Sequence, residues 1–225
     1  MNAIRAIFTK QMNDLPKNFS VLSMFILWPV MALIMGGVMG EPEIQAGIFI
    51  AMLIGSGPMI AIANNVAEDR EYKSLRFLVM AGVKPWQYLL GLAGSVFLAS
   101  AVSLAALAWI GGIGGDLLLR VCIVAALGLF TSTILGGAVG IFAKNVQQAT
   151  AIYTPLMMIL AFMPMLAAFN ETIARIAEFL FPYQVLMVIF NPDADFIRAL
   201  LMIGANAVVL LAFFIFAYRK KGLRG

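Results

Sequence analysis

The sequence predicts an all-α integral membrane protein, and three observations predict it. Mean hydropathy is +0.98 over 225 residues, well above the range of soluble domains. Apolar runs near the ~20 residues that cross a bilayer core recur six times. Charged residues make up only 12% of the chain and lie between the runs or at their ends. Backbone in lipid must satisfy its own hydrogen bonds, so runs of this length are read as helices.

The elements follow in order. The opening "MNAIRAIFTKQMNDLPK" (1–17) sets Ile4, Ile7, Phe8, Met12 and Leu15 on one face, with Asn2, Arg5, Thr9, Lys10 and Asn13 elsewhere. That is the pattern of a helix lying in the membrane interface, and a plain surface anchor shares it. The first apolar run, 19–40, is long, lacks a small-x-small cleavage site and follows an amphipathic segment. It is therefore expected to be a span and not a leader. Five further spans are expected at 44–67, 86–110, 117–143, 150–169 and 196–218.

Six spans put both termini on one side. That side holds 12 of the 15 basic residues and four of the 11 acids; the other holds Arg120, Arg175 and Arg198 with seven acids. An excess of Lys and Arg marks the cytoplasmic side. The expectation is thus a multi-pass protein of the cell membrane, a bacterial plasma membrane, with cytoplasmic termini. Trp86, Tyr88 and Tyr218 fall at inner ends of spans and Trp109 at an outer end, as aromatic belt residues do.

The segment after the second span, "NNVAEDREYKSLRFLVMAG" (64–82), concentrates Glu68, Asp69, Arg70, Glu71, Lys73 and Arg76. Six charges at about 3 kcal/mol each would cost on the order of 18 kcal/mol at the bilayer centre, so the segment belongs in water. Acids precede bases, in accord with a helix dipole, and Asp69 with Lys73 makes an i,i+4 pair. Leu75, Leu78 and Val79 share a face. Gly82 ends the helix, and Lys84-Pro85-Trp86 starts the next. The expectation is one helix over 68–82. Local physics alone equally fits a solvated loop helix.

The order of residues in "EDREYKSLRFLVMAGVKPWQYLLG" resembles the signature of ABC type-2 permeases, the membrane subunits of ATP-driven exporters. In that family the segment reads approximately E-x-G-T-L-E-x-L-L-x-[ST]-P-V, followed by L-x-G-K. Glu71, Ser74, Leu75, Leu78, Val79, Val83 and Leu89-Leu90-Gly91 match it, while Lys73, Arg76, Gly82 and Leu92 depart from it. The amphipathic start, six spans and hydrophobic outer loop extend the resemblance along the chain. It implies a coupling helix at 68–82 that sets Glu71, Leu75, Arg76, Leu78 and Val79 against an ABC ATPase subunit. It also implies an interface helix at 1–17 touching that ATPase, and a second permease subunit completing a dimer. No G-x-x-x-x-G-K-[ST] occurs, so ATP and Mg are expected on the partner ATPase, with no cofactor in this chain.

The outer loop, 170–195, pairs a polar stripe (Glu171, Arg175, Glu178) with an apolar one, is broken at Pro182, and continues as a second apolar run. About ten apolar residues are too few to span. Two short helices dipping into the outer leaflet fit, as in the family's re-entrant hairpin, with Phe181, Pro182 and Tyr183 at the bend; helices lying flat on the surface fit the same pattern. Met31, Met35 and Met39 form an i,i+4 stripe, and Met157, Met158, Met163 and Met165 crowd the fifth span. Met adapts to irregular partners, so Met31, Met35, Met157 and Met158 are candidates for a cargo path or dimer interface, or for ordinary packing. Gly36-x-x-x-Gly40 and Gly136-x-x-x-Gly140 permit close helix contact within or between subunits.

The composition argues against other classes. There is no His and a single Cys, Cys122, so neither a catalytic residue nor a metal site is expected. No basic face suits nucleic acid. Asn206 is the most polar mid-span residue, whereas ion-coupled carriers and intramembrane enzymes usually need charged groups there. The expected function is the transmembrane, non-enzymatic subunit of an ABC exporter for a hydrophobic or amphipathic cargo, such as a peptide, drug or lipid-like molecule. A secondary transporter or a non-transporting membrane scaffold is the alternative.

Overall fold

The protein's computed structural model describes residues 3–36, 41–167 and 169–221. Helix makes up 89% of them and no strand occurs among them, so the all-α class holds. In chain order the elements are α1 (Ala3–Asp14), a 3-10 turn (Leu15–Lys17), α2 (Phe19–Ile34), α3 (Pro42–Glu71), α4 (Ser74–Met80), α5 (Pro85–Ile110), α6 (Gly115–Phe142), α7 (Val146–Ala167), α8 (Glu171–Ala177), α9 (Phe181–Phe190) and α10 (Pro192–Lys221).

Among the described residues five helices, α3, α5, α6, α7 and α10, are long and apolar enough to cross a membrane alone. Two bent pairs raise the number to seven if each counts as a span: α1 with α2, bent by 63°, and α8 with α9, bent by 115°.

Helix α3 is the axis of the bundle. Every residue from Gln45 to Asn64 is buried, because this stretch is apolar on all sides and has no polar face to turn outward. Helices α2, α5, α6, α7 and α9 surround it. Lipid is as apolar as leucine, so what draws helices together here is close fit between small residues. A Cβ on Gly55 would lie 2.6 Å from the Leu160 carbonyl oxygen of α7. On α6, Gly128, Gly136 and Gly140 recur at four-residue steps with the buried Ser132, and face Ile54, the Met59 backbone and Val66 of α3. The Gly136–Gly140 pair therefore serves contact within one subunit. Gly40 and Met39 lie outside the described residues.

The bundle has a basic end, where α3, α6 and α10 finish and α5 and α7 begin, and an acidic end opposite. At the acidic end Asn170 caps α8, its Oδ1 accepting from the Thr172 and Ile173 amides at 2.8 and 3.3 Å. Pro182 does not break a helix as expected. It sits in the first turn of α9, where a missing N–H leaves nothing unsatisfied. Arg198 bonds Glu178 at 2.8 Å, and Asn206 donates to the Phe179 carbonyl at 3.1 Å, so α10 holds the elbow between α8 and α9. Arg120 of α6 bonds Asp193 at 2.8 Å and ties down the start of α10. Helix α9 packs on α3, α6, α7 and α10, and Phe181, Pro182 and Tyr183 are all buried in it.

Candidate functional site

The charged stretch lies at the basic end, and its backbone differs from the single helix expected over 68–82. Helix α3 continues unbroken through Glu71 and stops at Tyr72. Lys73 then adopts a left-handed φ of 57°, which costs an L-residue about 1–2 kcal/mol, and α4 begins only at Ser74. The Ser74 hydroxyl steadies this break, its single proton shared between the Asp69 carbonyl at 3.0 Å and the Asp69 carboxylate. At the far end of α4, Gly82 takes φ 78° and the Val83 amide reaches back to the Leu78 carbonyl at 3.0 Å. That is a Schellman termination, and glycine suits it.

Asp69 is the centre of the site. It is 4% exposed, although it sits in the most charged segment of the chain. Lys10 of α1 bonds its Oδ1 at 2.9 Å, Ser74 at the start of α4 donates to the same oxygen at 2.8 Å, and the Tyr88 hydroxyl of α5 donates to Oδ2 at 2.8 Å. One buried carboxylate thus joins four helices. The expected Asp69–Lys73 pair does not form: the helix ends before Lys73, and Asp69 turns inward instead. Tyr88, expected in the aromatic belt, is only 1% exposed because its hydroxyl has this buried acceptor.

The neighbouring charges serve two more helices. Arg70 donates through Nη1 to the carbonyls of Ile141 and Ala143, the latter at 2.9 Å. It thereby satisfies groups left free at the end of α6, where a cation also suits the dipole. Glu71 accepts from the Val146 amide at 3.3 Å, at the start of α7 where an anion is favoured. Only Glu68 points away, exposed. Of four consecutive charged residues, three are spent on holding helix ends together.

Helix α1 lies across α5. Ile7 is buried, with Ile4, Phe8 and Met12 half-buried beside it. Its seat is made by Gly91 and Gly94: a Cβ on the first would lie 2.7 Å from the Ile7 Cβ, and on the second 2.7 Å from the Phe8 ring. At twelve residues α1 is too short to cross a bilayer. Burial pulls the Lys10 ammonium pKa down, but the Asp69 hydrogen bond and the charges of Asp69, Asp14 and Glu68 outweigh it and hold it above the ordinary value. Lys10 therefore stays cationic at neutral pH.

The residues expected to meet an ATPase divide. Leu78 is half-buried and packs on the protein's own core. The side chains of Leu75, Arg76 and Val79 lie outside the described ones. The large apolar groups that α4 and its preceding turn present outward are Tyr72, Phe77 at 66% and Met80 at 64% exposure. Met31, Met35 and Met157 are half-buried and Met158 is exposed. Helices α2 and α7 meet where the Trp28 and Phe162 rings lie 6.4 Å apart, so the methionine-bearing helices are neighbours. Among the described residues no group of three or more His, Cys, Asp or Glu gathers as for a metal ion.

Sequence reasoning missed the Asp69 cluster. Its partners lie 59 residues before it and 19 after it, and no local pattern joins them. A buried acid beside an αL turn leaves no periodic signature. In comparison with known proteins, no curated protein matches the chain. A family profile described as ABC-2 family transporter protein matches residues 43–216.

Proposed function

The chain belongs to the ABC-2 family of transporter proteins, and from that premise we propose that it is the transmembrane subunit of an exporter driven by a separate ATPase. The observation that carries this reading is the Asp69 carboxylate, bonded at once to α1, α4 and α5 at the end of the most buried helix. A push on α4 or α1 from the cytoplasm would reach the axis of the bundle through short charge-assisted bonds, about twice as strong as neutral ones. The exposed Tyr72, Phe77 and Met80 supply an apolar surface for the ATPase to grip. ATP and Mg would be held by that partner.

In this reading α2, α3, α5, α6, α7 and α10 are the six spans, and both termini are cytoplasmic on the excess of basic residues at that end. Helices α8 and α9 form a hairpin that re-enters the outer leaflet and caps the exit. Its support is depth: Val185 packs beside Gly128, thirteen residues and hence about 20 Å along α6. Two such subunits would work with two ATPases. The exposed Met158 and Phe162 of α7, with the exposed Val30 and Leu33 of α2, would line the path or the contact with the second subunit. That surface is neutral, which suits a hydrophobic or amphipathic cargo.

The test is capture of an ABC ATPase subunit co-expressed with this chain. Burying a Phe side chain is worth about 1.5–3 kcal/mol, so Phe77→Asp should weaken capture at least about tenfold. Arg76→Ala removes no large apolar group and should change it little. Capture of the ATPase by Phe77→Asp at the wild-type level would remove α4 as the docking surface.

A further inference from the structure

A cleft made of two adjoining pockets runs along α1 at the basic end. Its polar half, about 360 Å³, is lined by Lys10, Asp14, Lys17, Asn65 and Glu68. Its apolar half, about 510 Å³, is lined by Ala6, Ile7, Phe77, Leu78 and Ala81. Lys10, Gln11 and Asp69 border both halves, so charged and apolar chemistry adjoin along one helix.

We propose that this cleft binds one phospholipid with a primary-amine headgroup, its head in the polar half and an acyl chain in the apolar half.

The charges of the polar half are only partly used. Asp69 is already bonded by Lys10, Ser74 and Tyr88 and forms a wall. Lys17 stands 3.9 Å from Asp14, both largely exposed, a loose pair that a ligand opens easily. Glu68 is exposed and makes no ion pair among the described residues. The cleft therefore offers one cation to a phosphate and two carboxylates to an ammonium, the two signs a zwitterionic head carries. A primary ammonium has three N–H donors for Asp14 and Glu68, whereas a trimethylammonium has none. An acyl chain laid in the adjoining half covers the exposed Phe77 and Ala81, the apolar groups that would otherwise meet water. An amphipathic helix at the membrane surface lies at the depth of such heads.

This site is separate from the proposed cargo path; its apolar half shares Phe77 with the proposed ATPase surface, but its test uses no ATPase and so stands apart from the exporter reading. The full chain, without any ATPase, is purified from nanodiscs of phosphatidylcholine mixed with phosphatidylethanolamine or with phosphatidylglycerol, and lipid retained per chain is counted by native mass spectrometry. One phosphatidylethanolamine should be retained in preference to either other lipid. Glu68→Gln and Lys17→Gln lie outside the Asp69 bonds and should keep the wild-type melting midpoint in pure phosphatidylcholine. Each should lower retention about tenfold, the size of one lost charge-assisted bond. Equal retention of phosphatidylglycerol by the wild type would overturn recognition of the amine. Retention untouched by both substitutions, or no retained lipid, would overturn the site.

Discussion

Lys10 sits on the outer side of a short surface helix, yet its loss should be felt as the loss of a core contact. Its ammonium lies 2.9 Å from Asp69 Oδ1, with side-chain exposures of 55% for Lys10 and 6% for Asp69. An exposed ion pair contributes about 0–1 kcal/mol. Removing one partner of a fully buried pair costs about 3–5 kcal/mol, because the other charge is stranded. Lys10→Met strands the buried member, but Ser74 and Tyr88 still donate to it, so the cost should fall between these limits, about 2 kcal/mol. In Asp69→Asn the lysine escapes to water, but the new amide confronts the buried Tyr88 hydroxyl, for about 2–3 kcal/mol. The double variant needs no cation beside the neutral amide. It should be no worse than Asp69→Asn alone, which gives a coupling of about 2 kcal/mol. The assay is reversible unfolding in bicelles followed by circular dichroism, with amide exchange over residues 3–14 reporting release of α1. A Lys10→Met variant within about 0.5 kcal/mol of wild type, or strictly additive losses in the double variant, would refute the reasoning.

Three further outcomes are expected. Gly136→Ala should destabilise by about 1–3 kcal/mol despite a propensity gain near 1 kcal/mol, because the added methyl meets the Met59 backbone, which cannot swing aside; thermal melts in detergent read the sign. Phe181, 2% exposed, should lose about 3–5 kcal/mol on truncation to Ala, whereas the exposed Phe179→Ala should be near neutral in the same melts. In a chain with Cys122 replaced by Ala, single cysteines at Glu43, Asp116 and Asp193 should react with an impermeant thiol reagent on intact cells. Those at Lys73, Lys144 and Lys221 should not, and outside labelling of Lys73 would reverse the orientation.

Much of the architecture was legible in the chain, because hydropathy is a local property. The apolar runs mark α3, α5, α6, α7 and α10, and Gly82 marks the end of α4 because few other residues tolerate its φ. The charges of 68–76 had to lie outside the bilayer whatever the fold. What those charges do was decided by the tertiary structure. An i,i+4 pattern pointed Asp69 to Lys73, but the helix ends between them, and Asp69 instead meets a lysine 59 residues away. Likewise the apolar face of α4 was visible, but Leu78 turns to the core and Phe77 outward. The Gly136–Gly140 pair advertised close contact without naming its partner, which proves to be α3. Phe181, expected at the bend of the outer hairpin, is buried. One physical reason covers these cases. In a membrane, lipid and protein interior are equally apolar, so composition reveals which residues leave water, and only the packed helices determine which of them meet each other.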